Sequence, residues 1–391
     1  MSIYKRKSGR YAVLIDLEPS ALGGRRRKSA GTFRTRKEAE SAERKALEAR
    51  DRGIDLSPKT VTVAQLLDRY LADREALERG AKTLQEYRGC ADRLIRPHLG
   101  GIALAKLRPA RIAEWVATLL KRGGKSAKNA DGKLVERALS AKSVYHAFTL
   151  LNGAMRFALR MELIGRNPCE AATRPSIKRS DAKALSADEV TRLLDAAQST
   201  RWEQFLTLAL STGARRGELC GLSWDDYDVE NVTLTIRHSL SQTRHGIALK
   251  ATKTGRTRTL PLSRVANDAL RSQRALQARE RLASGRLYVN DDGAIFADEL
   301  GRRMTPMAAT CAFDRIARKA GISTTRLHDL RHTAATTLLL AGVDVRTAAG
   351  VLGHASPTIT LSTYAHLMPE AQRDAVDRLG ERLEMLHKKA L

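Results

Sequence analysis

The apolar positions of this chain recur mostly at helical spacing. After Thr62, a residue suited to capping a helix, Val63, Leu66, Leu67, Tyr70 and Leu71 fall three and four residues apart and give one apolar face. Further helices are predicted over Ala81–Ile95, ahead of Pro97, over Pro109–Arg122, and from about Ser140 to Glu162, before Asn167-Pro168. Thr35 with Glu38 and Ser186 with Glu189 are spaced as capping boxes. Helical patterns then cover Leu262–Ala283, Thr305–Ala320, His328–Ala341, Val345–Leu352 and a piece restarted by Ser356-Pro357. Other stretches read as strands. Tyr11–Leu17 and Ala30–Phe33, joined by a basic turn at Gly23–Lys28 and followed by a helix from Thr35, suit a small three-stranded sheet with one helix. Val232–Arg237 is β-branched and alternating, and Ile247–Lys250 and Arg258–Leu262 flank Thr252–Gly255, which reads as a turn.

Polar breaks at Ser57-Pro58 and Arg174–Asp181 divide these elements. The fold class expected is multidomain and mainly α with small β parts. It has a β-β-β-α domain over residues 1–56, an all-α domain over 60–172, and a mixed, mainly-α domain with a β-hairpin over 182–391. The Gly/Lys-rich loop Gly123–Lys133 is expected to be disordered or to order on a partner. Asp374–Leu391 is an amphipathic helical pattern carrying Val376, Leu379, Leu383 and Leu386.

Charge changes the picture. The 391 residues hold 69 Lys+Arg against 43 Asp+Glu, a net +26 with a pI near 10.4, which points to a polyanionic partner. Residues 1–57 carry +7, residues 58–179 carry +13 and residues 180–391 only +6. Most of the excess therefore lies ahead of the last domain, as in a basic clamp joined to a more balanced unit. No apolar run approaches the roughly 18 residues of a membrane span, and Asp16 and Pro19 disqualify Tyr11–Leu17 as a signal-peptide core. Cys90, Cys169, Cys220 and Cys311 lie far apart with no CxxC pair, which suits a reducing cytoplasm better than a disulfide scaffold or a zinc ribbon.

Four stretches could carry chemistry. Thr212-Gly213 breaks the apolar helix Phe205–Leu210 and puts Arg215 in the first turn of the next helix, where N–H groups and a guanidinium can face an anion. Glu218, three residues on, is placed to hold Arg215; the spacing also suits an ordinary surface ion pair. Lys253, in the expected turn, is either a solvated charge or a mobile ammonium that can donate a proton in a groove. In the segment Leu327–His332, His328 and Arg331 share a helix face. The step from His328 to His332 could suit zinc, but Asp329 stands where a zinc protease needs glutamate, and Arg331 would place a cation between the ligands. Neither metal nor other cofactor is expected. Gly353 closes a helix, His354 follows it, and Ser356-Pro357 starts the helix leading to Tyr364, which alone would read as a half-buried amphipathic side chain.

Together, Arg215, Lys253, His328, Arg331, His354 and Tyr364, in the words TGARRGEL, TKTG, HDLRH, LGH and TY, resemble the active-site pattern of the tyrosine recombinases, the phage integrases and their relatives. All six positions hold the expected residue types. The motifs lie within residues 212–364; over 60–170 the likeness is one of helical pattern and charge, and over 1–55 one of strand and helix order.

The resemblance implies a site-specific DNA recombinase that integrates or excises a mobile element through a 3′-phosphotyrosyl intermediate, without metal or ATP. It implies that Arg215 and Arg331, aided by His354 and His328, hold the phosphate, that Tyr364 attacks, and that Lys253 protonates the leaving 5′-oxygen. It implies an arm-type DNA-binding domain at the amino terminus, a helical core-DNA-binding domain, and a catalytic domain. The implied partners are double-stranded DNA at attachment sites, a homotetramer on that DNA in which the carboxyl-terminal helix docks on a neighbour or on its own domain, and an accessory DNA-bending or directionality factor. The implied location is the cytoplasm, with the nucleoid. A type IB topoisomerase-like nicking and resealing enzyme and a non-catalytic DNA-binding regulator are the alternatives; strand exchange excludes the first and a covalent DNA adduct the second.

Overall fold

The computed structural model describes residues 2–6, 8–17, 26–51, 61–77, 80–124, 127–128, 134–135, 138–177, 183–252, 257–290, 292–354, 356–364, 376–377 and 379–381. The chain divides into two compact units, Met1–Lys178 and Arg179–Leu391. A division near residues 56–60 falls on residues outside those described.

In the first unit, β1 (Ser2–Lys5), β2 (Tyr11–Leu17) and β3 (Arg26–Phe33) form an antiparallel sheet in that order, followed by α1 (Arg36–Asp51). Val13 and Ala39 are the buried contact of sheet with helix. Thr35 caps α1, its hydroxyl accepting from the Glu38 N–H at 3.2 Å while Glu38 accepts from the Thr35 N–H at 3.1 Å.

The helical part follows the spacing of its apolar residues. It comprises α2 (Val63–Ala76), α3 (Ala81–Cys90), a π-helical turn over Ala91–Ile95, α4 (Arg96–Leu99), α5 (Pro109–Arg122) and α6 (Ala141–Arg160). Thr62 and Gln65 form a capping box at α2 that the sequence pattern left unnoticed. The π turn precedes Pro97, which has no N–H to give a regular helix. There the Trp115 indole donates to the Leu94 carbonyl at 2.7 Å. Within 123–133, β4 (Ala127–Lys128) pairs with β5 (Leu134–Val135) just beyond it, and residues 125–126 and 129–133 of that loop lie outside the described residues.

In the second unit, α7 (Ala187–Ala197), α8 (Glu203–Thr212) and α9 (Arg216–Gly221) precede the strands. After the strands come α10 (Arg264–Ser284), α11 (Pro306–Lys319), α12 (Asp329–Leu340), α13 (Val345–Leu352) and α14 (Pro357–Tyr364). The apolar faces of α7 to α11, with Leu330 of α12, share one core around Phe205, Phe296 and Phe313, while Ala335 and Leu339 of α12 pack with Ala348 and Leu352 of α13 in a second cluster.

The strands correct one expectation. β7 (Thr233–Ile236) pairs with β10 (Arg258–Pro261) and with β6 (Tyr227–Asp228), while β8 (His238–Thr243) and β9 (Gly246–Ala251) form the hairpin. The segments either side of Thr252–Gly255 therefore do not pair with each other. Burial decides this: Leu260 of β10 lies opposite Leu234 of β7, both in the core, whereas every residue of β9 is exposed. Among the described residues, no helix is long and apolar enough to cross a membrane.

Candidate active site

Two helix-ending glycines organise the site. Gly213 ends α8 at φ +60° and Gly353 ends α13 at φ +68°, the left-handed region open to glycine at no steric cost. Neighbouring side chains also come close to both. A Cβ on Gly213 would lie 2.5 Å from Leu352 Cδ2, and one on Gly353 would lie 2.5 Å from Arg258 Nη1.

The arginines are anchored on the carbonyls of these turns. Arg331, buried on α12, donates through Nη1 to the Gly213 carbonyl at 2.8 Å and to the Leu352 carbonyl at 2.6 Å. Arg215, half-buried at the N-cap of α9, donates through Nη2 to the Gly353 carbonyl at 3.0 Å. Two guanidinium groups from distant parts of the chain thus converge on consecutive carbonyls immediately before His354.

Glu218 is no surface partner: it is 1% exposed. It accepts from Arg215 Nη1 at 2.7 Å, from the Arg215 backbone N–H at 3.0 Å and from Arg258 Nη2 at 2.7 Å. Burial pushes its carboxyl up, but the hydrogen bonds and charge of Arg258, with the bonds from Arg215, outweigh burial and hold it below the usual carboxylate range. Arg258 also donates to the Val351 carbonyl at 3.2 Å, tying β10 to the end of α13. Arg258 is the residue the sequence reading missed. Its signal was parity: it lies two residues before the buried Leu260, so it faces inward.

His328 is the last residue before α12, and its ring meets that of His332 edge-on at 5.2 Å between centroids. Desolvation by the surrounding protein, then the His332, Arg331 and Arg215 charges, push its pKa down to about 4. Solvent still reaches the ring. His354 is pushed down to about 4 as well, by burial first and then by Arg331 and Arg215, with smaller pushes from His332 and Arg258. Both imidazoles are therefore neutral at neutral pH. His354 Nδ1 lies 2.6 Å from the Thr360 hydroxyl of α14. Asp329 of the same motif is structural, buried and bonded by the Arg326 N–H at 2.8 Å and the Arg326 guanidinium at 3.0 Å.

Ser356 starts α14 as expected, its hydroxyl accepting from the Thr358 N–H at 3.2 Å. Tyr364 is the last residue of α14. Lys253 lies outside the described residues, as do Leu383 and Leu386 of the tail, whereas Val376 and Leu379 are exposed. Among the described residues, no group of three or more His, Cys, Asp or Glu side chains could hold a metal ion.

Arg215 and Arg258 on the Glu218 carboxylate, with Arg331 on the carbonyls of the two turns, leave a local net positive charge beside two neutral imidazoles. Such a cluster suits an oxyanion of tetrahedral geometry. Residues 183–371 match the model of the phage integrase family. The tyrosine recombinase XerD of Mycobacterium tuberculosis (strain H37Rv) is 33% identical over 314 residues, spanning 76% of this chain and 92% of that protein. The chain belongs to the phage integrase family of tyrosine recombinases.

The ICEBs1 integrase of Bacillus subtilis (strain 168) is 24% identical to this recombinase over 388 residues, 98% of this chain and 100% of that one. Among solved structures, the Tn1549 transposon integrase in complex with a circular intermediate DNA has a TM-score of 0.65 at 22% identity, covering 81% of this chain and 99% of that one. A lambda integrase tetramer bound to a Holliday junction has a TM-score of 0.58 at 22% identity, covering 91% and 96%. These two likenesses establish the multidomain, mainly-α fold.

Proposed function

We propose that this recombinase cuts and rejoins double-stranded DNA at attachment sites to integrate or excise a mobile element, and that Arg215, Arg331, His328, His354, Lys253 and Tyr364 do the chemistry. The observation that carries the reading is the anchoring of both guanidinium groups on the Leu352 and Gly353 carbonyls. Charges fixed before the substrate arrives need little reorganisation when charge grows on the phosphorane oxygens.

In this mechanism Tyr364 Oη attacks phosphorus, the P–O5′ bond breaks, and a 3′-phosphotyrosyl link forms. The tyrosine proton passes to a base, for which the neutral His328 is suited, and Lys253 protonates the departing 5′-oxygen. The link conserves the bond energy, so a second 5′-hydroxyl can attack it and exchange strands without ATP. The arginines supply the positive charge that a metal would otherwise bring. Residues 1–56 serve as an arm-type domain, 60–172 grip core DNA and 182–391 carry catalysis. A homotetramer on DNA fits the assembly named for the lambda integrase structure.

A nicked suicide duplex tests the reading. The wild-type protein should form a covalent adduct in EDTA without ATP, mapped by peptide analysis to Tyr364. Tyr364→Phe should bind the same DNA within about twofold and form none, because it loses only the nucleophilic oxygen. An adduct on another residue, or a strict need for a divalent ion, defeats the proposal.

A further inference from the structure

Thr360 has no part in the chemistry described so far, yet its placement on α14 runs against apolar logic. Thr360 is 0% exposed, while the adjacent Leu361 is 48% exposed. A helix packed for burial alone would turn the leucine inward. The hydroxyl that is buried instead lies 2.6 Å from His354 Nδ1.

The donor in that bond follows from the rest of the molecule. Helical threonines often donate to the carbonyl four residues back, as Thr149, Thr191 and Thr207 do here. Among the described residues, the side-chain bond of Thr360 is to His354 instead. With no other acceptor among the described residues, the buried hydroxyl proton is assigned to the imidazole lone pair. Nδ1 is then the acceptor, and the proton of the neutral ring sits on Nε2. The charged and titratable groups facing His354, namely Arg331, Arg215, His332 and Arg258, all disfavour its protonated form. His354 therefore meets an anion as a neutral Nε2–H donor.

We propose that Thr360 is a positioning residue for strand cleavage: its hydroxyl fixes His354 as the Nε2–H tautomer and, through the same bond, registers the helix of Tyr364 against the arginine cluster. Thr360 and Tyr364 are four residues apart on α14, one turn. A docked α14 thus sets the donor and brings the end of the nucleophile's helix to a fixed place. When α14 moves away, the bond is lost and both tautomers of His354 become available. The inference rests on the recombinase reading of His354 given above.

Single-turnover cleavage of the suicide duplex by the full-length protein tests it with a double-mutant cycle. Thr360→Val keeps the branched shape and removes the O–H. It should slow cleavage about 10- to 100-fold at unchanged DNA affinity; Thr360→Ser should recover to within about threefold, and Thr360→Val/His354→Ala should cleave as slowly as His354→Ala alone. A valine that slows the His354→Ala background by the same factor as wild type makes Thr360 a packing residue and overturns the inference. So does wild-type cleavage by Thr360→Val when His354→Ala is impaired. Wild-type cleavage by His354→Ala removes the recombinase reading of His354 and the inference with it. The ¹⁵N shifts of the His354 ring give a readout that needs no variant: the wild-type ring should carry its proton on Nε2, and a proton on Nδ1 overturns the proposal.

Discussion

Several ion-paired arginines of the amino-terminal unit stand in solvent: Arg111 and Glu114 are 54% and 63% exposed at 2.8 Å, and Arg88 meets Glu75 at 2.6 Å, also exposed. In the carboxyl-terminal unit the arginines of the site are sunk into the fold. Arg331 rests on two carbonyls, and Arg215 and Arg258 share the buried carboxylate of Glu218. On the proposed function, the difference follows from what each charge must do. Solvated cations that meet DNA phosphates contribute through counterion release, tolerate loose geometry and weaken with salt. A cation that stabilises a transition state must already point the right way, and burial against carbonyls and a carboxylate fixes it. Burial has its own cost, offset here because each guanidinium meets matched acceptors.

The sharpest way to break this comparison is to separate the units. Residues 180–391 expressed alone should fold, since their core is self-contained. Having lost the +20 carried by residues 1–179, they should bind DNA on the order of 10³-fold more weakly, about 4 kcal/mol, with a shallower salt slope in a titration. Equal affinity would mean that the exposed arginines are not the grip. Next comes Glu218→Gln, which leaves Arg215 and Arg258 without their counter-charge. Urea unfolding should show a loss of about 3 kcal/mol, the lower end for a buried pair because Arg215 retains some solvent. An unchanged midpoint would return Glu218 to the class of surface partners.

A smaller effect tracks pH. His328 and His354 have pKa values near 4 in the folded protein, against about 6.5 unfolded. The unfolded chain therefore binds protons first as pH falls, and stability present above about 6.5 is lost towards pH 4. Solvent reaches both rings, so the loss should be on the order of 1 kcal/mol. His328→Gln/His354→Gln should flatten that limb of the midpoint against pH; a limb as steep as wild type would show that the imidazoles are not held neutral. The smallest change is expected from Arg111→Ala, under about 0.5 kcal/mol in stability. A larger loss in calorimetry would show that the exposed pairs of the helical unit contribute more than solvated charge.

Much of the fold could be read without coordinates. Pro109–Arg122 and Val345–Leu352 were bounded by their own punctuation, a proline at the start of one and a glycine after the other. Local capping rules likewise placed the boxes at Thr35 and Ser186, because their bonds span three residues. Arg215, Lys253, His328, Arg331, His354 and Tyr364 suggested the chemistry through their resemblance to the family's active-site pattern, since each stretch by itself also had an ordinary structural reading.

What only the tertiary structure decided is which distant groups meet. The pairing of β10 with β7 rather than with β9 depends on Leu260 and Leu234 burying each other, a choice made across a whole sheet. Whether Glu218 lay in water or under two arginines could not follow from a spacing of three, because that spacing serves an exposed face as readily as a buried one. Arg258 and Thr360 join the site only because β10 and α14 pack against the turn at Gly353 and His354, and a hydroxyl or guanidinium acquires its role from the acceptor that packing brings to it. Sequence fixes bonds over a few residues; contacts over a hundred are chosen by the burial of the whole core, as the Arg331 bond to the Gly213 carbonyl shows.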